Sequence, residues 1–186
     1  MSSGMRPRGI DHVGLTVPDI QEAEDFLIDG LGAQFIFEGL SSTDVPLSGP
    51  EVEQLVRLPQ GARIDVIRMY TMGTGPGIEL FQYTCDEQRP AARGCDFGWQ
   101  HLAVYVDDLE AAANQAIAAG ARKLGQTWDL MNKESGPGNS FCFLSAPFGA
   151  LIELITYPSP QAYENSTTLR RWKPPPRQPS SEKRSE

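Results

Sequence analysis

The chain contains two histidines, His12 and His101, and both stand at the same place in two copies of one sequence pattern. The first copy reads IDHVGLTVPDIQEA and the second reads WQHLAVYVDDLEAA. A further matching pair follows, in which GIELFQY contains Glu79 and LIELITY contains Glu153. Imidazole nitrogens and carboxylate oxygens together suit Mn, Fe, Co, Ni or Zn. The four residues therefore indicate a divalent metal site to which each copy supplies one histidine and one glutamate.

Each of these residues, taken alone, has a structural alternative. A histidine in a strand is often a hydrogen-bonded core residue, and a glutamate there is often the partner of a cation such as Arg63 or Arg68. A carboxylate flanked by apolar residues carries a large desolvation cost unless it meets a positive charge. One metal ion would satisfy both glutamates and both imidazoles. The match at equivalent positions in two copies favours the metal site.

The four residues are predicted to lie in β-strands, where alternate side chains share a face. In each strand the alternate positions on the other face are aliphatic and are expected to pack against helices. Each histidine and its glutamate should therefore lie on the common, opposite face. The side chains predicted to share that face are Gly14, Thr16, Phe81, Tyr83, Ala103, Tyr105, Leu151, Ile155 and Tyr157.

The order of elements is the same in both halves of the chain. Residues 9–17 predict a strand, and Asp19 and Glu22 have the spacing of a capping box that begins a helix ending near Gly30 or Gly32. A second helix is predicted at 108–119. The other predicted strands lie at 33–38, 62–70, 78–84, 99–106, 122–125, 140–145 and 151–157. The pattern is thus β-α-β-β-β, twice.

The first half is longer between its histidine and its glutamate. The histidines are 89 positions apart (101 − 12) and the glutamates 74 (153 − 79), so the first half holds 15 additional residues. They fit best in 40–60, which includes a predicted short helix at 51–57. This long loop is either a lid over the site or a family-specific insertion.

Composition and charge narrow the classes of partner. The net charge of −8 argues against nucleic acid, whose binding relies on clustered Lys and Arg. No apolar run approaches the roughly 18 residues that a spanning helix needs, so we expect no membrane partner and a cytoplasmic location. Three cysteines without CxxC spacing argue against a disulfide framework or a thiolate zinc site.

These motifs resemble the vicinal oxygen chelate superfamily, which includes glyoxalase I, methylmalonyl-CoA epimerase, extradiol dioxygenases and the fosfomycin and bleomycin resistance proteins. The similar segments are IDHVGLTVPDIQEAEDFL, FGWQHLAVYVDDLEAA and SAPFGALIELI, and the resemblance covers about residues 8–158. In the last segment the family usually has an aspartate where this chain has Phe148. The resemblance implies an α+β fold in which two tandem βαβββ modules, at 8–85 and 97–158, form a cupped, barrel-like mixed sheet with helices outside.

The resemblance also implies ligands and a reaction. The family's four metal positions correspond to His12, Glu79, His101 and Glu153, which leaves about two coordination positions for substrate oxygens. Similar enzymes abstract a proton next to a carbonyl through a metal-bound enolate. The chain is therefore expected to be an epimerase, another isomerase or a glyoxalase-like lyase, with Glu153 and Glu79 as acid and base in an order left open. Because many members form dimers, a homodimer is expected.

Two other functions compete with this one. A ring-cleaving extradiol dioxygenase would use iron(II) held by His12, His101 and Glu153, and Glu79 would then occupy a position that oxygen or a catecholate needs. A metal-free drug-binding resistance protein would have the fold without the ligand set. The intact set of four disfavours it.

Phe81, Tyr105 and Ile155 are the predicted substrate-lining residues, with Tyr105 alternatively an acid in the reaction. The remaining segment, 159–186, is a predicted C-terminal extension that is largely flexible from 174 and carries six basic residues against two acidic ones from Arg170 onward. Its TTLRRWKPPP sequence either folds back onto the protein or a dimer partner, with Trp172 as an anchor, or forms a solvated tail.

Overall fold

A computed structural model describes residues 7–176 of the chain. Of the extension that the sequence predicts to be flexible, the part at 177–186 lies outside the described residues. No helix between residues 7 and 176 is long and apolar enough to cross a membrane.

The first module forms a five-stranded sheet with two helices. Its strands run in the order β1-β5-β4-β2, and β3 pairs with β4; β1 and β5 are parallel and the other pairs antiparallel. The elements are β1 His12–Val17, α1 Ile20–Asp25, β2 Gln34–Leu40, β3 Leu47–Ser48, α2 Pro50–Val56, β4 Arg63–Thr71 and β5 Gly77–Thr84.

The second module repeats this arrangement. Its strands run in the order β6-β10-β9-β7, and β8 pairs with β9; β6 and β10 are parallel. The elements are β6 His101–Tyr105, α3 Leu109–Ala118, β7 Arg122–Lys123, β8 Trp128–Asp129, β9 Ser140–Ser145 and β10 Leu151–Thr156. The predicted α+β fold of two βαβββ modules is confirmed. The two sheets remain open and do not close into a barrel, because β1 and β6 each end their sheet.

The helix that follows each first strand begins at an aspartate. Asp19 Oδ1 accepts hydrogen bonds from the backbone N–H groups of Gln21 and Glu22 at 2.8 and 2.9 Å, and Asp108 Oδ1 accepts from Ala111 N at 3.0 Å. These bonds satisfy donors that the first turn of a helix leaves free. The chain beyond α1 continues as a π-helical turn, Phe26–Gly30.

One apolar core joins the two modules. It includes Phe26 and Leu80 from the first module and Leu144 and Leu154 from the second, each at most 1% exposed. A β-carbon on Gly30 would lie 3.1 Å from the Ala119 side chain, so this glycine allows the helical layers of the two modules to approach closely. The predicted helix-facing residues of β5 and β10 are buried as expected: Ile78, Leu80, Ile152 and Leu154.

Candidate metal centre

The parallel strand pair of each module sets the same relation between histidine and glutamate. In the first module Glu79 stands opposite Gly14, two residues after His12. In the second, Glu153 stands opposite Ala103, two residues after His101. Because side chains alternate along a strand, this register turns both members of each pair to one face. Each histidine thus shares a face with its glutamate, as the sequence predicts, and the two modules form equivalent His–Glu pairs.

The first pair joins His12 to two carboxylates. His12 Nε2 lies 3.3 Å from Glu79 Oε2, and His12 Nδ1 lies 2.8 Å from Asp11 Oδ2. The His12 side chain is 40% exposed and that of Glu79 21%. The hydrogen bond to Asp11 is the main cause that raises the pKa of His12, and the charges of Glu79 and Asp11 act in the same direction against partial burial.

The second pair lies deeper. His101 Nε2 is 3.3 Å from Glu153 Oε2, and the Glu153 side chain is 15% exposed. The rings of His101 and Phe143 pack nearly perpendicular to each other, with 5.5 Å between ring centroids. Burial raises the pKa of Glu153, and the positive charges of His101 and Arg171 oppose this rise. The surroundings of Glu153 thus favour its protonated form relative to a free carboxyl group.

The chemistry of these groups fits a divalent metal. Ligand atoms about 2.1 Å from an ion and about 90° apart are about 3 Å from each other, close to the 3.3 Å between Nε2 and Oε2 in each pair. Metal-binding histidines commonly donate their second ring N–H to a carboxylate. Asp11 is placed to accept it from His12.

The two pairs do not yet make one site. Within residues 7–176, no group of three or more His, Cys, Asp or Glu side chains is close enough to hold a metal ion. The structure therefore shows two half-sites, His12–Glu79 and His101–Glu153. Their union around a single ion stays a prediction.

The arginines considered as alternative partners are engaged elsewhere. Arg63 Nε pairs with Asp65 at 2.8 Å. Arg68 pairs with Glu24 at 2.6 Å and with Glu38 at 2.8 Å. Since neither arginine pairs with a site glutamate, a simple arginine–glutamate bridge does not explain Glu79 or Glu153.

Two clefts lie between the modules, one at each free edge strand. The cleft along β6 has a volume of about 850 Å³ and is also lined by the loop before β5 and by Trp172. The cleft along β1 has a volume of about 710 Å³ and extends to His101 and Phe148. The segment that follows each module's last strand borders a cleft: Trp172, Pro174 and Pro175 line the cleft along β6, and residues 88–92 line the cleft along β1. Of the four candidate ligands, only His101 lines either of these two clefts, and the aliphatic residues Val13, Ile78 and Leu102 line both.

The three predicted substrate-lining residues have different surroundings. Phe81 is half-buried and stacks on Tyr83 at 5.7 Å, and Tyr105 is half-buried and lines the cleft along β6. Ile155 is only 4% exposed and packs with Leu130 in a small second core. The loop that carries Leu130 covers it. Contact between Ile155 and a substrate stays a prediction.

Sequence reasoning did not single out Asp11, Glu134 or Lys173. Asp11 could have been identified from the sequence, because it is an acidic residue directly before His12. The equivalent position before His101 holds Gln100, so the repeat itself did not point to it. Glu134 meets Arg171, a contact that forms only because the C-terminal segment folds back. That fold-back was one of the two alternatives for TTLRRWKPPP, and Tyr157 Oη donates a hydrogen bond to Trp172 O.

Comparison with known proteins agrees with this fold. The family described as the glyoxalase/bleomycin resistance protein/dioxygenase superfamily matches residues 11–143. A 2-epi-5-epi-valiolone epimerase from Actinomyces sp. is 30% identical over 169 residues, which cover 89% of this chain and 88% of the relative.

Solved structures share the fold at lower identity. A glyoxalase family protein from Bacillus cereus is 16% identical, with a TM-score of 0.64 over 84% of this chain and 98% of that protein. A glyoxalase family protein from Enterococcus faecalis is 18% identical, with a TM-score of 0.56 over 80% of this chain and 97% of that protein.

Proposed function

The chain belongs to the glyoxalase/bleomycin resistance protein/dioxygenase superfamily, and we propose that it is a metal-dependent epimerase acting at a carbon next to a carbonyl group. The observation that carries the proposal is the His–Glu pair repeated at the same register in both modules. The epimerase relative, which matches most of both chains, supports this reaction over lyase or dioxygenase chemistry.

His12, Glu79, His101 and Glu153 are the residues that would hold the ion. A divalent ion there would stabilise the negative charge that develops on a substrate oxygen when the neighbouring carbon loses a proton. Asp11 would fix the His12 ring so that Nε2 faces the site.

The glutamates would move the proton. We assign Glu153 Oε2 as one acid–base group, because it lies beside His101 Nε2 at 3.3 Å, where a C–H bond next to a metal-bound oxygen would come within its reach. The C–H bond breaks, its proton passes to the carboxylate, and its electron pair moves toward the carbonyl oxygen. Glu79 is the candidate for proton return, since it comes from the other module and would approach a ligand held between the modules from a different side. Return on the opposite face inverts the carbon.

Proton exchange with solvent tests the proposal directly. The protein is incubated in D₂O with 2-epi-5-epi-valiolone and each of the five divalent metals in turn, and ¹H NMR follows the hydrogens next to the carbonyl. We expect loss of one C–H signal together with a new epimer, and expect both to stop on adding chelator or in Glu153→Gln. Absence of exchange and of any epimer with every metal would contradict epimerisation of this ketone. Oxygen uptake with a catechol and iron(II) would instead favour the dioxygenase.

A further inference from the structure

The C-terminal strap, residues 167–175, folds back against the second module. Tyr157 Oη donates to Trp172 O, and Lys173 Nζ donates to Tyr157 O at 3.1 Å. The backbone N–H of Arg171 donates to Tyr163 Oη at 2.9 Å. These bonds fix the strap on both sides of Trp172, which lines the cleft along β6.

The strap brings two cations to two tyrosines near the candidate site. Lys173 Nζ lies 5.7 Å from the Tyr105 ring centroid and 5.6 Å from that of Tyr157, and the Arg171 guanidinium lies 5.0 Å from the Tyr157 ring. The two rings pack edge to face with 4.9 Å between centroids. Aromatic faces within about 6 Å attract cations. Both cations of the strap, Lys173 and Arg171, therefore lie against the Tyr157 ring.

This cluster lies within reach of an extended ligand of the metal centre. Tyr105, at the end of β6, stands four residues beyond His101, and Tyr157, directly after the end of β10, stands four residues beyond Glu153. Four residues of strand span about 13 Å. A ligand that occupies the His101–Glu153 half-site and extends along the strands would therefore reach the cluster.

The basic residues of the strap differ in whether a carboxylate neutralises their charge. Arg171 contacts Glu134, and Arg170 pairs with Glu164 at 3.1 Å. Among the residues that the structure describes, no carboxylate lies within 4.0 Å of Lys173. Lys173 is also exposed to solvent and keeps N–H groups beyond the one it donates to Tyr157. An anion bound by Lys173 would meet a positive charge that no carboxylate of the described residues neutralises.

We propose that Lys173 is a specificity-determining residue that binds an anionic substituent of the substrate, a phosphate or a carboxylate. The proposal rests on the epimerase function and adds to it a preference for ketones that carry a negative charge remote from the reacting carbon over neutral ketones. Arg171, steered by Glu134, is the second cation of this subsite. The strongly acidic chain would thus place a local positive field where the anionic end enters.

Calorimetry with matched ketones tests the proposal. D-Fructose, D-fructose 6-phosphate and 5-keto-D-gluconate serve as neutral, phosphorylated and carboxylated probes, titrated into the full chain with chelator and again with zinc. We expect the anionic ketones to bind more tightly than fructose under both conditions. Lys173→Met should weaken binding of the preferred anion about tenfold, the order expected for loss of a charge-assisted hydrogen bond, and Lys173→Arg should restore most of it.

Lys133→Met is the matched control. Lys133 is an exposed lysine next to Glu134, so this variant removes the same charge nearby without touching the tyrosine pair. Equal binding of all three probes, or equal losses in Lys173→Met and Lys133→Met, would overturn the proposal. A larger loss for phosphate or for carboxylate identifies the favoured group. Binding of the probes with chelator requires no turnover. A failure of the Lys173 proposal therefore appears in calorimetry, whereas a failure of the epimerase proposal appears as absence of proton exchange.

Discussion

The two half-sites of the candidate metal centre share one backbone geometry but differ in what surrounds it. In the first module His12 has a second partner, Asp11, at 2.8 Å. In the second, the residue before His101 is Gln100, and the His101 ring packs nearly perpendicular to Phe143 instead. Duplication thus kept the positions of the ligands, while the neighbours of each histidine diverged.

The carboxylates differ as well. Glu153 is the more buried of the two and lies within electrostatic reach of Arg171 and Glu134. The first module instead carries the long segment 40–60, which contains α2. We interpret the first half-site as the better oriented metal holder and the second as the better proton carrier. Five measurements would test this contrast between the half-sites.

The largest effect is expected from removing a ligand in either module. His12→Ala and Glu153→Gln should each lower metal affinity by more than the roughly 10–100-fold that loss of a supporting residue costs, because the proposed site takes ligands from both half-sites. Metal content by mass spectrometry and affinity by calorimetry would measure this. Glu51→Gln, at an exposed position in α2, is the control. Wild-type metal content in His12→Ala or in Glu153→Gln would show that the half-sites do not share an ion.

Removing the supporting carboxylate should have a smaller effect, confined to one module. Asp11→Asn is expected to weaken metal binding about tenfold, since His12 loses the group that orients its ring. Gln100→Ala makes the corresponding change in the second module, where Gln100 occupies the position before His101. Similar losses in both variants would contradict the proposed difference between the half-sites.

Burial of Glu153 should also appear in the pH dependence of stability without metal. A carboxyl group whose pKa is raised on folding contributes stability that is complete below its unfolded pKa, about 4.3, and is lost as pH rises through the folded value. The free energy of unfolding of the wild type, measured with urea, should therefore fall relative to Glu153→Gln as pH rises above 4.3. A flat difference between pH 4 and 8 would contradict the shift.

The pKa of Asp65, in the first module, is shifted on folding in the direction opposite to that of Glu153. Burial is the largest single influence and raises the pKa of Asp65, but hydrogen bonds from Thr84 and Arg63 and the charge of Arg63 together lower it. The advantage of wild type over Asp65→Asn should therefore be present above pH of about 3.9 and be lost as pH falls. The same trend with pH for Asp65→Asn and Glu153→Gln would refute the assignment of these shifts.

The smallest effect is on the His12 ring itself. Because the chain has only two histidines, their ring protons can be followed separately by NMR in metal-free protein. The pKa of His12 should lie above 6.5 and should fall in Asp11→Asn, since the hydrogen bond to Asp11 is the main cause that raises it. An unchanged pKa of His12 in Asp11→Asn would contradict the role of Asp11 in raising it.

The sequence predicted the framework of this site better than its surroundings. Strand alternation around His12 and His101 is a local property, and so is the aspartate that begins each helix; the structure confirms both. The two-residue strands β3 and β8 were missed, because such short segments are defined only by pairing with β4 and β9.

The features that the sequence did not predict depend on long-range contacts. The burial of Ile155 depends on Leu130, which lies 25 positions earlier in the chain, and the place of Lys173 depends on the hydrogen bond from Tyr157 to Trp172. Neither contact has a local signature. The distance between the two half-sites likewise depends on how the modules pack, which strand periodicity does not encode.

A crystal structure of the metal-loaded protein, with anomalous scattering recorded at the absorption edge of the bound metal, tests most directly whether the two modules share one ion. We predict one strong anomalous peak per chain, with His12, Glu79, His101 and Glu153 all within bonding distance of it. A peak at one His–Glu pair alone, or at other residues, would contradict a single metal shared by the two modules.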